Sequence, residues 1–420
     1  TTHAILGGMC PRFTEPTNVD VLAFHEAFAD IVALLQGFDL TELLEHEISR
    51  SRGDLRAETI LGKLAIELGS ATRGRAALRR ATGQSVHGPW VPSGPDPTRL
   101  RQVETPHERG AILVAAVFDA LIAIYKSRTV DLFRLATGGT GQLPDGAVHP
   151  DLTNRLASQA SKVARQVLQM CIRALDYLPP VDVTFFDFLR ALITADAEHV
   201  PDDKYDYRVA VVEAFTNRGI APSVSDADAG ALASLDVAAL RWPTFQPSAD
   251  AGAGYAKIEQ VLRDFAEKCA YIRDRKELFK VTRGFRVALN REFEAASHDS
   301  PAFRAGLGLA DGNIEVHALR RAMRAQPNGR IDPELIVSVA QTRRGRIGGA
   351  TLVVNPAESM SPRYRIVKPI DDQRRQAATA EFRAANDADP LRRLLLARQS
   401  NQFALLHELS EQPTWRRRGV

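Results

Sequence analysis

Between Asn18 and Gly37 the chain reads NVDVLAFHEAFADIVALLQG, a segment punctuated as a helix and too apolar to be left in water. Asn18 offers an N-cap, Asp20 an acid in the first turn and Gly37 a stop. A helix that is apolar around most of its circumference has to be enclosed by other elements, which favours a helical surround. Inside this segment Glu26 and Asp30 are four positions apart and so share a face. Burying an unpaired carboxylate costs several kcal/mol, so the two acids call for a metal, a histidine or an arginine opposite them. The other arrangement that satisfies them is a wet stripe along an amphipathic helix. His25 is predicted to add little, because its side chain leaves the helix roughly 100° away from that of Glu26.

A second enclosed helix begins at Thr105-Pro-His-Glu, read as a capping box with Pro106 at the first helical position, ahead of the apolar run Ala111 to Tyr125. That reading sets His107 at a helix N-terminus. Leu55 to Leu68, Asp151 to Tyr177, Thr184 to Ala195 and Asp206 to Arg218 also read as helices, whereas Gly83 to Pro97 is crowded with Gly and Pro and reads as a loop. Polar, Ala-rich sequence with Pro243 and Pro247 then suggests a linker over 223–254. Beyond it, Tyr255 to Arg275 and Ile314 to Arg324 carry helical patterns, while Ile336 to Gln341, Ala350 to Val354 and Tyr364 to Lys368 are strand-like. The last two strands flank Asn355 to Pro362 as a hairpin, and the tail from Asp371 has helical propensity. The predicted architecture is mainly α: a helical domain over 1–222, then a smaller α+β domain over 255–420 with a short antiparallel sheet.

At 420 residues the chain exceeds the usual size of one domain, in keeping with that division. Its 54 Lys+Arg against 51 Asp+Glu leave a net charge of +3, too little to make a nucleic acid or an anionic membrane the main partner. The basic pieces Arg343-Arg344-Gly345-Arg346 and Arg416 to Arg418 lack interleaved aromatics and read as solvated. Cys10, Cys171 and Cys269 are odd in number and far apart, which excludes a disulfide framework and a Cys-rich zinc site. No run of about 18 uncharged apolar residues occurs. The opening Thr-Thr-His has neither an initiator Met nor a signal pattern, so the true N-terminus is expected to lie upstream.

Thr1-Thr2-His3-Ala-Ile-Leu-Gly7-Gly8-Met9 has the look of the end of a helix that carries a histidine and breaks at the two glycines. Glu26 follows His3 by 23 positions, a spacing that permits an antiparallel helix pair joined by Cys10 to Thr17, with the imidazole near the carboxylate. Both groups are ordinary zinc ligands. Two ligands do not make a site, and a satisfied surface or core histidine is the commoner outcome of such spacing.

The run THAILGGMCPRFTEPTNVDVLAFHEAFADIVALLQ resembles the active-site region of thermolysin-like zinc metallopeptidases, the gluzincins, in which HExxH on one helix is followed by a second helix with a Glu-Ala-x-x-Asp pattern. Thr1-Thr2-His3 matches the last three positions of HExxH, and Glu26-Ala27-Phe28-Ala29-Asp30 matches the second pattern. The resemblance implies that His3 and Glu26 are ligands of Zn2+ and that Asp30 orients the first zinc histidine. It also implies that His107, in ETPHERGAILVAAVFDA, donates to the oxyanion of the tetrahedral intermediate. FLRALITADAEHVPDD and YRVAVVEAFTNRGI are similar to parts of the family's C-terminal helical lobe, so the likeness spans about 1–220. The implied activity is hydrolysis of peptide bonds by a zinc-activated water, on a peptide or protein substrate.

Departures from the family accompany the resemblance. His25 stands where the family commonly has Asn, and Glu104 precedes His107 by only three positions. The first histidine and the glutamate of HExxH fall before Thr1, with the N-terminal lobe that would be a partner of this part. The chain alone is therefore expected to be inactive. The alternative class is a non-catalytic, degenerate peptidase fold that acts as a protein-interaction scaffold.

Overall fold

The computed structural model describes residues 1–56, 83–84, 91–92, 94–221, 226–245, 249–325, 329 and 331–387. The helix expected from Leu55 to Leu68 falls almost wholly outside these residues, as does the Arg416 to Arg418 piece. The fold is mainly α, with a small antiparallel sheet near its C-terminal end.

The helical part is built from α1 (Thr2–Met9), α2 (Val19–Gly37), α3 (Thr41–Ser51), α4 (Pro106–Ala136), α5 (Pro150–Ala174), α6 (Phe185–His199) and α7 (Tyr207–Asn217). Asn18 caps α2 as its sequence predicts, accepting from the backbone N–H of Asp20 at 2.7 Å and of Val21 at 3.2 Å. Its amide also donates to Asp182 at 2.7 Å, which ties the start of α2 to the loop before α6. Val21, Phe24, Phe28, Ile31 and Leu35 of α2 lie in the core with Leu113, Val117 and Leu121 of α4. By length and composition α4 is apolar enough to cross a membrane; in this fold 78% of its most apolar window is buried.

Helices α2 and α4 approach closely at Gly110, where an added Cβ would lie 2.9 Å from the carbonyl oxygen of Ala23 and 3.3 Å from the amide nitrogen of Ala27. Those partners are helix backbone and cannot swing aside. Gly110→Ala is expected to lower stability even though alanine is the better helix former by about 1 kcal/mol, because forced separation of packed helices costs roughly 1–3 kcal/mol. Denaturant unfolding reads the difference. A variant more stable than the parent would mean that the two helices do not meet at this glycine.

Four strands, β1 (Glu315–Ala325), β2 (Ile331–Arg343), β3 (Arg346–Val354) and β4 (Tyr364–Lys368), form an antiparallel meander in chain order. The hairpin expected around Asn355 to Pro362 is the β3–β4 connection, with Val353 opposite Tyr364. Alternation along the strands divides the sheet between two cores. Ile336, Val353, Tyr364 and Ile366 join the helical core. Leu335, Val337, Val339, Leu352 and Val354 face a second core with α8 (Ala249–Cys269) and α9 (Arg275–Asp299). A charged seam lies where β1 and β2 meet the helices: Arg324 bonds Asp176 and, at 2.9 Å, Glu334, while the Tyr177 hydroxyl donates to Glu334 at 3.1 Å.

Several local expectations differ from what the fold shows. Ile314 to Arg324 was expected to be helical and is the edge strand β1; residues such as Ala, Leu, Arg and Met favour helix locally, but pairing of Arg320 with Ile336 and Leu319 with Val337 decides the outcome. The α1 helix runs through Gly7 and Gly8 to Met9, anchored by buried Leu6, whose carbonyl accepts from Cys10 N–H at 2.8 Å. Within the stretch read as a loop, Gly83–Gln84 pairs antiparallel with Val91–Pro92. Part of the segment read as a linker packs on the helical core: Leu232 and Leu240 are buried in it, and the Trp242 indole donates to Tyr177 at 2.9 Å.

Candidate functional site

Two helix starts and one helix middle meet at Glu26. The start of α1 carries His3, whose Nε2 lies 3.7 Å from Oε2 of Glu26. The start of α4 carries His107, whose Nδ1 lies 3.6 Å from the same oxygen. His3, Glu26 and His107, singled out in the sequence for different reasons, are thus neighbours in space.

The α4 end is held in place by contacts that the sequence did not reveal. Nε of Arg109 donates to Asp20 at 2.5 Å, and its Nη1 donates to the carbonyls of Leu100 at 2.6 Å and Val103 at 3.0 Å. The other oxygen of Asp20 accepts from the backbone N–H of Phe185 at 3.1 Å. Arg109 therefore pins the first turn of α4 to the first turn of α2 and to α6. His107, two positions before it, is delivered to Glu26 by that clamp. The capping box expected at Thr105 is not formed; the Thr105 hydroxyl donates to the Glu108 carboxylate at 2.7 Å and gives no cap to the backbone.

His25 does more than its position on the helical wheel predicts. Its Nδ1 is 2.9 Å from Nδ1 of His3, and the two rings lie nearly parallel, at 11°, with centroids 5.0 Å apart. A 100° step around α2 still allows a ring on α1 to sit between the arcs of His25 and Glu26. His3 then meets Glu26 through Nε2 and His25 through Nδ1. A partner on the far nitrogen fixes ring orientation, a common arrangement behind a metal-binding imidazole.

Glu26 is only 5% exposed, and its Oε1 has no hydrogen-bond partner among the described residues. Burial, with the charge of Asp30 added, pushes the Glu26 carboxyl up to about 8. Burial likewise pushes Asp30, one turn further along α2, up to about 6. Two carboxyls with too little compensating charge are what a cation would relieve.

His3 and Glu26 fit zinc as two members of a coordination set. Ligand atoms 2.0–2.2 Å from a tetrahedral ion sit roughly 3.4 Å from one another, close to the 3.7 Å between Nε2 and Oε2. The orphaned Oε1 of Glu26 supplies a further acceptor. Among the described residues no group of three His, Cys, Asp or Glu side chains is arranged to hold a metal ion. No protein family, curated protein or solved structure was found to match this chain.

Proposed function

We propose that this chain is the C-terminal part of a zinc-dependent metallopeptidase, with His3 and Glu26 as two of the zinc ligands. The convergence of His3 and His107 on one buried carboxylate is the observation that carries the reading. The remaining histidine ligand and the general base would come from polypeptide preceding Thr1, where the family pattern puts them.

Each residue then has a task that its surroundings suit. Glu26 would bring negative charge to the ion through its buried carboxylate, and His25, 2.9 Å from Nδ1 of His3, would hold that imidazole in place. His107, steadied by the Arg109–Asp20 pair, would donate to the oxyanion that develops as the scissile carbonyl becomes tetrahedral. Asp30 would accept from the outer nitrogen of the upstream histidine. Zinc, when bound, polarises the carbonyl and acidifies the attacking water.

The 420-residue chain is expected to bind zinc weakly and to cleave no peptide, and the polypeptide extended upstream of Thr1 to gain both zinc and activity. Zinc content and hydrolysis of a casein substrate, measured side by side on the two proteins, test this. Zinc-dependent cleavage by the 420-residue chain would show that its ligands are wrongly assigned. An extended protein lacking both properties would remove the peptidase reading.

A further inference from the structure

At one end of the sheet, the tip of the β2–β3 hairpin and the C-terminal helix α10 (Gln373–Asp387) border an open cleft of about 380 Å³. Arg344, Arg346, Arg375 and Arg383 line it, and its described lining holds no Asp or Glu. These four guanidinium groups are not equivalent. Arg375 is fully engaged, donating to Asp182 at 2.7 Å, to Pro369 at 2.6 Å and to Ile347 at 3.2 Å, and so fastens α10 to the sheet. Among the described residues Arg346 pairs only with Asp371, at 3.8 Å, an exposed pair of little energetic weight. Arg344 and Arg383 have no carboxylate within ion-pair distance among the described residues.

The backbone brings these charges together at some cost. Arg344 at φ 49° and Gly345 at φ 77° both lie in the left-handed region, forming the two-residue turn between paired Arg343 and Arg346. Such a turn favours Asn-Gly, and an arginine at its first position is strained. Gly345 leaves room for Arg383, whose Nη1 lies 3.2 Å from where a Cβ on Gly345 would stand. Three poorly compensated guanidinium groups around one cleft repel one another until an anion enters.

We infer that this cleft, lined by Arg344, Arg346 and Arg383, binds a compound bearing two or more phosphate groups. Forked guanidinium donors match phosphate oxygens, and Thr379 and Gln373 add a hydroxyl and an amide to the lining. The space exceeds that of one phosphate, and the apolar part of the lining, including Ile347 and Ile370, is aliphatic. With no aromatic side chain in the described lining on which a base would stack, recognition rests on the anionic groups. The site shares no residue with the His3–Glu26 cluster and does not depend on the peptidase reading.

Inorganic pyrophosphate, titrated calorimetrically into the 420-residue chain at near-physiological salt, is the probe. Saturable binding at one site is expected, weakened at least about tenfold by Arg344→Gln with Arg383→Gln. Arg283→Gln with Arg291→Gln removes the same charge from exposed positions of α9 and is expected to change affinity less than about twofold. The substituted arginines are exposed or half-buried, and circular-dichroism melts of both variants confirm folding. No saturable binding, equal loss in the two variants, or equally tight binding of a tetraglutamate peptide would overturn the assignment.

Discussion

Replacing Glu26 by glutamine is expected to remove zinc from the upstream-extended protein and peptidase activity with it. The amide keeps the shape of the side chain but brings no negative charge to an ion whose other neighbours on this chain are imidazoles. Changing groups behind metal ligands commonly costs 10- to 100-fold in affinity, and the loss of a ligand itself should exceed about 100-fold. Competition with a chelating dye measures it. Misfolding is separable from ligand loss, because burial already opposes an ionised carboxylate at this position. The metal-free variant should therefore melt no earlier than the metal-free parent. Retention of zinc with parental affinity would show that Glu26 is not a ligand.

Replacing His107 by alanine is expected to leave zinc in place and to lower turnover about 100- to 1,000-fold, the effect of losing one oxyanion donor and equivalent to roughly 3–4 kcal/mol. The fold should tolerate the change, since the start of α4 is held by Arg109 and Pro106, and His107 is half-buried at its edge. The 3.6 Å separation between its Nδ1 and Glu26 gives the experiment a second edge. A histidine so close to the carboxylate is also within reach of an ion bound there. Loss of zinc together with turnover would make His107 a ligand; unchanged turnover would make it a bystander.

Much of this geometry was legible along the chain because local rules and packing agree there. Asn18, Asp20 and Gly37 bracket α2, and a helix so apolar had to be interior. The acids within it stood out as costly groups in need of partners, and His3 and His107 were proposed from the family pattern. His25 was expected to add little because a helical wheel locates a side chain on its own helix and says nothing of how the neighbouring helix is placed. Arg109 and Asp20 were unreadable as a pair for the same reason: 89 positions separate them, and only the packing of α2 on α4 joins them. Around the sheet, local and tertiary preferences conflict. β1 is composed of residues that favour helix, and its strand form depends on hydrogen bonds to β2, which no local pattern displays.

The most direct test of the zinc assignment is a crystal of the upstream-extended protein loaded with zinc, with diffraction data collected on either side of the zinc absorption edge. An anomalous peak 2.0–2.2 Å from Nε2 of His3 and from a carboxylate oxygen of Glu26 is the predicted result. A zinc peak elsewhere, with His3 and Glu26 left in contact only with each other, would contradict it.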